Sequence, residues 1–366
     1  MKLIKLNLIN FKNYAQQLLN FEGQVHCFLG KNGSGKTNLI EAIHYLSLTK
    51  GAIQTRDSFN VRHGQNFFTI DGIFENSGNQ ATINCSFMLP GKKKISENGS
   101  EYQRYSEHLG KYPIVLIAPH NMELILEGAD YRRKYFDSIL SQIDKIYLNS
   151  LITYNFNLKQ RNSLLKMYLE GGSIDNDLLA TYDEKLVALG SVIFLKRKDF
   201  VREFESLLNK RYSFLSNNKE NVGLQYFSSL HDNDFGYELK SSRKRDLEIG
   251  RTSVGIHKDD FLFFLQDFEL KQIGSQGQQK TFLIALKLAE FDFWLKKHEI
   301  KPIMLMDDIF DKLDDDRINQ LLELIKQKSF DQVFITESRS ERSLESLKTS
   351  GVEPQNFTIS KGIIQS

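Results

Sequence analysis

The chain has 366 residues, 40% of them hydrophobic and 26% charged, an ordinary globular composition with room for two domains or for one domain carrying an insertion. Its net charge of +2 excludes a global basic field, so any contact with nucleic acid must come from local patches. Cys27 and Cys85 sit in apolar, strand-like runs without paired spacing and read as reduced core residues. No apolar run approaches the roughly 20 residues a membrane span needs, so a cytoplasmic protein with no membrane partner is expected.

The opening "MKLIKLNLINFKNY" alternates apolar residues with Lys and Asn as a strand does, and lacks the apolar core and cleavage site of a signal peptide. Further strand-like runs follow through residues 1–121: "VHCFLG", "FFTIDGIFE", "ATINCSFML" and "PIVLIAP". One helix interrupts them, "TNLIEAIHYLSLT", directly after "GKNGSGK". The junction fits G-x-x-x-x-G-K-[ST] at Gly30, Gly35, Lys36 and Thr37, with the preceding strand and following helix that the motif requires. In such a loop the backbone from Gly30 through Lys31, Asn32, Gly33, Ser34 and Gly35 curls around phosphates at the positive end of the helix. Lys36 would reach the β- and γ-phosphates, and the Thr37 hydroxyl would take Mg2+. The plain alternative is a glycine-rich turn with a chance lysine.

Residues 122–249 differ in kind. Leu140, Ile143, Tyr147, Leu151, Tyr154 and Leu158 recur at steps of three or four, which predicts a helix from Ala129 to Lys166. After "EGGSIDND" a second helical pattern runs through Leu179, Tyr182, Leu186, Leu189, Ile193, Phe200 and Phe204. Too few heptads are present for a long coiled coil, so a short antiparallel helical arm is expected.

Residues 250–366 return to alternating strands and helices, expected to form a largely parallel sheet: a strand near "DDFLFFLQD", a helix after "GSQGQQK", the strand "IMLMDDIF", a helix, and "QVFITE". Asp307, at a strand tip, is placed to hold Mg2+, and Asp308 to orient or deprotonate an attacking water; capping or turn aspartates are the alternative. About 270 residues separate these aspartates from the phosphate loop, so the arm is expected to be inserted between two halves of one nucleotide domain.

The order "SQGQQK", helix, apolar strand with "DD", then "DKLD" resembles the signature motif, Walker B and D-loop of ABC-type ATPases. The resemblance implies that Ser275, the Gly277 backbone and Gln278 hold ATP bound mainly by a second copy, whereas on the residues alone Ser275 is equally a helix cap. Within that superfamily the chain resembles the RecF family of bacterial recombination-repair proteins, related to SMC heads. The likeness rests on "NFKNY" (Asn10–Tyr14, with Lys12 where Arg is usual), "GADYRRKYFD" (Gly128–Asp137) and "RTSVGIHKDDF" (Arg251–Phe261). Departures are Pro119-His120-Asn121 in place of an acidic turn, Ile256 and Lys258 in place of Pro and Arg, no evident Q-loop glutamine, and Thr336 where transporters carry a switch His.

What the resemblance implies is an α/β, SMC-head-like P-loop ATPase built from both chain ends. ATP would close a homodimer, with composite sites made of Lys36 and Asp307 from one copy and Ser275 from the other. Duplex DNA near a single-strand gap would be gripped, and weak, DNA-stimulated hydrolysis would release it. The same resemblance implies work with RecR and RecO in loading RecA, in replication, recombination and the SOS response. Two alternatives stay open: an ABC-type subunit energising another machine, and a non-hydrolysing nucleotide switch.

Four basic clusters are candidate DNA contacts: Lys92–Lys94, Arg132–Lys134, Lys196–Lys198 and Arg243–Arg245, although such runs are usually solvated faces. His257 with Asp259 and Asp260 suggests a metal site only weakly, and hydrogen-bonded packing is the favoured reading.

Overall fold

The apolar runs of the two chain ends become two sheets with one helix between them. The structure is a computed structural model and describes residues 1–54, 56–218, 220–309, 314–338 and 351–365. Close contacts divide the chain into two units, one holding Met1–Met122, Phe214–Asn218 and Gln276–Ser366, the other Glu123–Ser213 and Lys219–Ser275.

The first unit begins with β1 (Lys2–Phe11), β2 (Tyr14–Asn20), β3 (Val25–Leu29) and α1 (Lys36–Leu48). It continues with β4 (Phe67–Asn76), β5 (Asn79–Met88), β6 (Lys92–Glu97), β7 (Ser100–Glu101) and β8 (Ile114–Ile117). Antiparallel pairing orders six of these strands as β2-β1-β4-β5-β6-β7, one face apolar and one wet, as their alternation predicts. Strand β3 leaves that series because all five of its residues are buried. Such a strand needs cover on both faces, and it takes the centre of a second sheet.

The second unit starts at α2 (Glu123–Leu126), α3 (Ala129–Ile143), α4 (Lys145–Leu169) and α5 (Asn176–Ser216), the last three residues of α5 clustering with the first unit. It continues with β9 (Val222–Phe227), α6 (Phe235–Ile249), β10 (Asp260–Leu265), β11 (Phe268–Glu269) and α7 (Leu270–Ile273). The chain then returns to the first unit with α8 (Gln276–His298), β12 (Ile303–Asp307), α9 (Asp315–Lys326), β13 (Val333–Glu337), β14 (Gln355–Ser360) and β15 (Ile363–Gln365). The second sheet of the first unit runs β15-β14-β3-β13-β12-β8, parallel except for the β14–β15 hairpin. Helix α1 is buried between the two sheets: Leu39, Ile40, Ile43, Tyr45 and Leu46 join Leu6, Phe68 and Ile70 from one side and Leu305, Phe334 and Phe357 from the other. An all-round apolar surface is what such a helix requires.

Two expectations for the middle change. The helix read from Ala129 to Lys166 is two helices, because Asp144 leaves helical geometry (φ −125°) and its carboxylate caps the second, accepting from the N–H groups of Ile146 and Tyr147 at 2.8 and 3.0 Å. The segment 250–275, expected with the C-terminal half of the head, belongs to the second unit. There β10 pairs antiparallel with β9, making a three-stranded sheet with β11 instead of a purely helical arm. Phe136 of α3 binds helix to sheet, its ring lying 4.5 Å from that of Phe261 and 5.6 Å from that of Phe200.

Candidate functional site

Strand β3 ends at the carboxyl edge of the parallel sheet, and the glycine-rich loop turns there into α1. Gly30 has no room for a side chain: a Cβ would stand 2.4 Å from the Ile359 carbonyl oxygen and 2.8 Å from Ser34 Oγ. Gly35, the residue before α1, takes φ +120°, which L side chains rarely adopt. Helix α1 has neither a side-chain cap nor an acidic first turn, leaving its N-terminal N–H groups for an anion. Lys31, Asn32 and Gly33 are exposed, while Ser34, Gly35 and Lys36 are buried.

Donors from elsewhere in the first unit hold the loop's carbonyls. Tyr14 OH donates to the Gly35 carbonyl (3.0 Å), and burial pushes that hydroxyl's pKa up, so it stays a donor. Asn13 Nδ2 donates to the Ser34 carbonyl at 3.1 Å, and Asn13 Oδ1 accepts from Asn38 Nδ2 at 2.7 Å. The Gly362 N–H, in the turn between β14 and β15, donates to the same Ser34 carbonyl at 3.2 Å. Lys12 pairs with buried Glu41 of α1. The roles of Asn13 and Tyr14 follow from contacts across about twenty residues, and only the quoted "NFKNY" pointed at them.

Lys36 is 4% exposed, and its ammonium donates to the Gly30 and Lys31 carbonyls at 2.8 and 3.2 Å; among the described residues it forms no ion pair. Ser34 Oγ is buried with no hydrogen-bond partner among the described residues. Across the sheet edge, Asp307 ends β12 and is also 4% exposed. Its Oδ1 accepts from Thr37 Oγ1 at 3.0 Å and from Thr336 Oγ1 at 2.7 Å. Asp308 follows with φ +48°, its N–H donating to Thr336 Oγ1 at 2.9 Å. The structure thus brings Gly30–Thr37, Asp307 and Asp308 to one edge and adds Thr336, which the sequence presented only as a departure.

This arrangement fits a nucleotide polyphosphate with a hard cation. A buried ammonium satisfied only by carbonyls, an orphaned hydroxyl and an uncapped helix start all favour an anion. Thr37 and Asp307 offer oxygen donors of the kind Mg2+ prefers. A cavity of about 150 Å3 lies beside the aspartates, lined by Ile117, Met122, Leu283 and Lys280 of α8.

Ser275 and Gly277 are exposed at the start of α8 and Gln278 is half-buried. The Gly277 carbonyl accepts from Thr281 Oγ1 at 2.8 Å. Of "DKLD", Asp311, Lys312 and Leu313 lie outside the described residues; Asp314 caps α9 through the Arg317 N–H at 3.1 Å. In the turn after β8 it is Asn121 whose side chain acts, accepting from the Ala118 N–H at 2.9 Å.

Two basic clusters lose members as DNA contacts. Arg132 is buried in a bidentate pair with Asp260, both bonds 2.8 Å. Arg197 is buried between Asp137 and Asp259. Lys92, Lys94 and Lys198 remain exposed, Lys94 in a surface pair with Glu101, whereas half-buried Lys196 pairs with Asp144. His257 bonds Tyr154 OH (3.0 Å) and the Thr252 carbonyl (3.2 Å), and burial pushes its pKa down to about 4. Among the described residues no three His, Cys, Asp or Glu side chains form a metal-holding group, and no helix is long and apolar enough to cross a membrane.

Residues 2–361 match the model of the RecF/RecN/SMC N-terminal domain family. The DNA replication and repair protein RecF of Bacteroides thetaiotaomicron is 41% identical over 365 residues, covering 100% of this chain and 98% of that protein. Its counterpart in Flavobacterium johnsoniae is 42% identical, covering 94% and 96%. A solved structure of the recombination mediator protein RecF with ATP, in the RecFOR pathway, superposes with a TM-score of 0.90 at 31% identity, covering 99% of this chain and 96% of the other. An Smc head domain from Pyrococcus furiosus, at 17% identity and a TM-score of 0.56 with 99% and 95% covered, shares the fold alone. With this identity over its whole length, the chain belongs to the RecF family.

Proposed function

We propose that this chain binds ATP with Mg2+ between the glycine-rich loop and the tip of β12, and that ATP closes two copies on DNA in replication and recombinational repair. The observation that carries the reading is Lys36, a buried ammonium held only by loop carbonyls at 2.8 and 3.2 Å among the described residues. On binding, Lys36 exchanges those carbonyls for β- and γ-phosphate oxygens, a charge-assisted contact stronger than the one it leaves. The loop N–H groups and the start of α1 orient the phosphates, while Thr37 and Asp307 hold the cation. Bound Mg2+ supplies neutralisation of the phosphate charge. Asp308 orients an attacking water and takes its proton, giving a slow ATPase stimulated by DNA.

Ser275, Gly277 and Gln278 of each copy complete the partner's site. The exposure of Ser275 and Gly277 supports this, as do the relatives named DNA replication and repair protein RecF and the solved relative holding ATP. The DNA is duplex near a single-strand gap, and the pathway of that solved relative supports RecO and RecR as partners, with RecA loading as the outcome.

Sedimentation of the wild type and Ser275→Arg with Mg2+-ATP, with and without a gapped duplex, tests the reading. The wild type is expected to dimerise with ATP, and the variant to bind ATP yet stay monomeric. Equal behaviour of the two overturns the composite site; ATP binding unaffected by Lys36→Ala overturns the nucleotide site itself.

A further inference from the structure

We propose that Thr336 is a positioning residue of this site, tying the Asp307 carboxylate to the backbone of Asp308 and so deciding which carboxylate oxygen is left for a cation. The inference rests on the nucleotide reading above and adds to it a residue that contacts neither nucleotide nor metal.

Thr336 lies on β13 in register with Asp307 of β12, and it is 0% exposed. A buried threonine near a strand end is by itself ordinary, since β-branched residues favour strands. The direction of its two hydrogen bonds is not ordinary. The Asp308 N–H can only donate, so Thr336 Oγ1 must accept from it, at 2.9 Å. The hydroxyl's single proton then goes to Asp307 Oδ1, at 2.7 Å. The hydroxyl's proton and one of its lone pairs are committed, and the polarity of the two bonds is set by the neighbours.

Asp307 Oδ1 receives a second hydroxyl, that of Thr37, at 3.0 Å. Among the described residues both donors go to Oδ1 and neither to Oδ2. When Thr37 turns a lone pair to a cation its proton can stay on Oδ1, and with the Thr336 proton it pins that oxygen and keeps Oδ2 facing the metal. The same hydroxyl anchors the backbone of Asp308, whose φ of +48° is left-handed and needs external support in a residue other than glycine. One side chain therefore orients the metal-holding carboxylate and aims the next aspartate.

The test measures affinity for a fluorescent ATP analogue in EDTA and across a Mg2+ titration, for wild type, Thr336→Val, Thr336→Ser and Lys36→Ala, alongside nucleotide-free melting curves. Valine keeps the shape without the hydroxyl. It is expected to bind the metal-free nucleotide within about twofold of wild type but to lose about tenfold of the enhancement by Mg2+, the scale of one hydrogen bond to a charged group. Serine restores the enhancement to within about threefold. Equal enhancement in Val and wild type, or a Val effect confined to the melting curve, overturns the proposal. Should the Val variant fail to fold, Thr336→Cys, with a weak S–H donor, is read instead: an intermediate enhancement supports the proposal and an unchanged one overturns it. If the wild type binds no nucleotide, or Lys36→Ala binds as it does, the nucleotide reading fails first and takes the role of Thr336 with it.

Discussion

Lys36 and Arg197 are both cations withdrawn from water, 4% and 1% exposed, yet they are satisfied in opposite ways. In the second unit, Arg197 donates to both oxygens of Asp137 (2.8 and 3.0 Å), to Asp259 (3.1 Å), to the Ile256 carbonyl (2.8 Å) and to Tyr147 OH (3.0 Å). Against the opposing effect of burial, Tyr147, Asp137, Tyr226 and Asp259 hold the guanidinium's pKa well above its ordinary value, and every direction of its fork is used. In the first unit, Lys36 meets only two carbonyl oxygens among the described residues. A buried cation whose charge is matched is scaffold, because nothing is left for a ligand to improve. A buried cation held by neutral dipoles has affinity in reserve, since an anion offers it a stronger bond than it has.

The largest effect that probes this difference is Arg197→Met. Removing the guanidinium strands Asp137 and Asp259 in the interior, and a loss of about 3–5 kcal/mol in denaturant unfolding is expected. A loss below about 1 kcal/mol would mean the cluster is wet and the contrast false.

Lys36→Met is the mirror experiment. Its partners are carbonyls, so the nucleotide-free protein should change by no more than about 1 kcal/mol, while ATP affinity measured by calorimetry falls about a hundredfold. A variant as unstable as Arg197→Met with unchanged affinity would make Lys36 scaffold as well.

A pH profile sharpens the comparison through neutral buried groups found in both units. Burial pushes His26, His44 and His257 down to about 4, so between that value and about 6.5 the unfolded chain binds protons that the fold excludes. Stability is therefore full above about pH 6.5, falls as pH drops toward 4 and levels off below, each histidine costing on the order of 2 kcal/mol at pH 5. Unfolding free energies equal at pH 7.5 and pH 5 would show that these rings are solvated.

Tyr14→Phe is the smallest change. It removes the donor to the Gly35 carbonyl and keeps the ring, with about 1 kcal/mol expected in ATP affinity. If the loss appears in the melting temperature alone, Tyr14 supports the fold without shaping the loop.

The sequence by itself determined what local chemistry can encode. The loop from Gly30 to Thr37 was legible because a turn that close to β14, entered from a buried strand and left through a helix, tolerates few residue types. The parallel sheet was legible in runs such as Ile303–Met306, wholly apolar because both faces are covered. The tips of those runs marked Asp307 and Asp308.

Tertiary structure decided what depends on pairing over long separations. Strand β9 has an alternation too short to stand out, and it captures β10 across 33 residues of chain, drawing 250–275 into the second unit. Asp144 read as one polar residue in a helical period, and only its carboxylate at the next helix start made it a break. Thr336 stood out in the sequence only as a departure, with no role attached. A hydroxyl gains direction from the donor and acceptor on either side of it, and here those come from the neighbouring strand, 28 and 29 residues away in sequence.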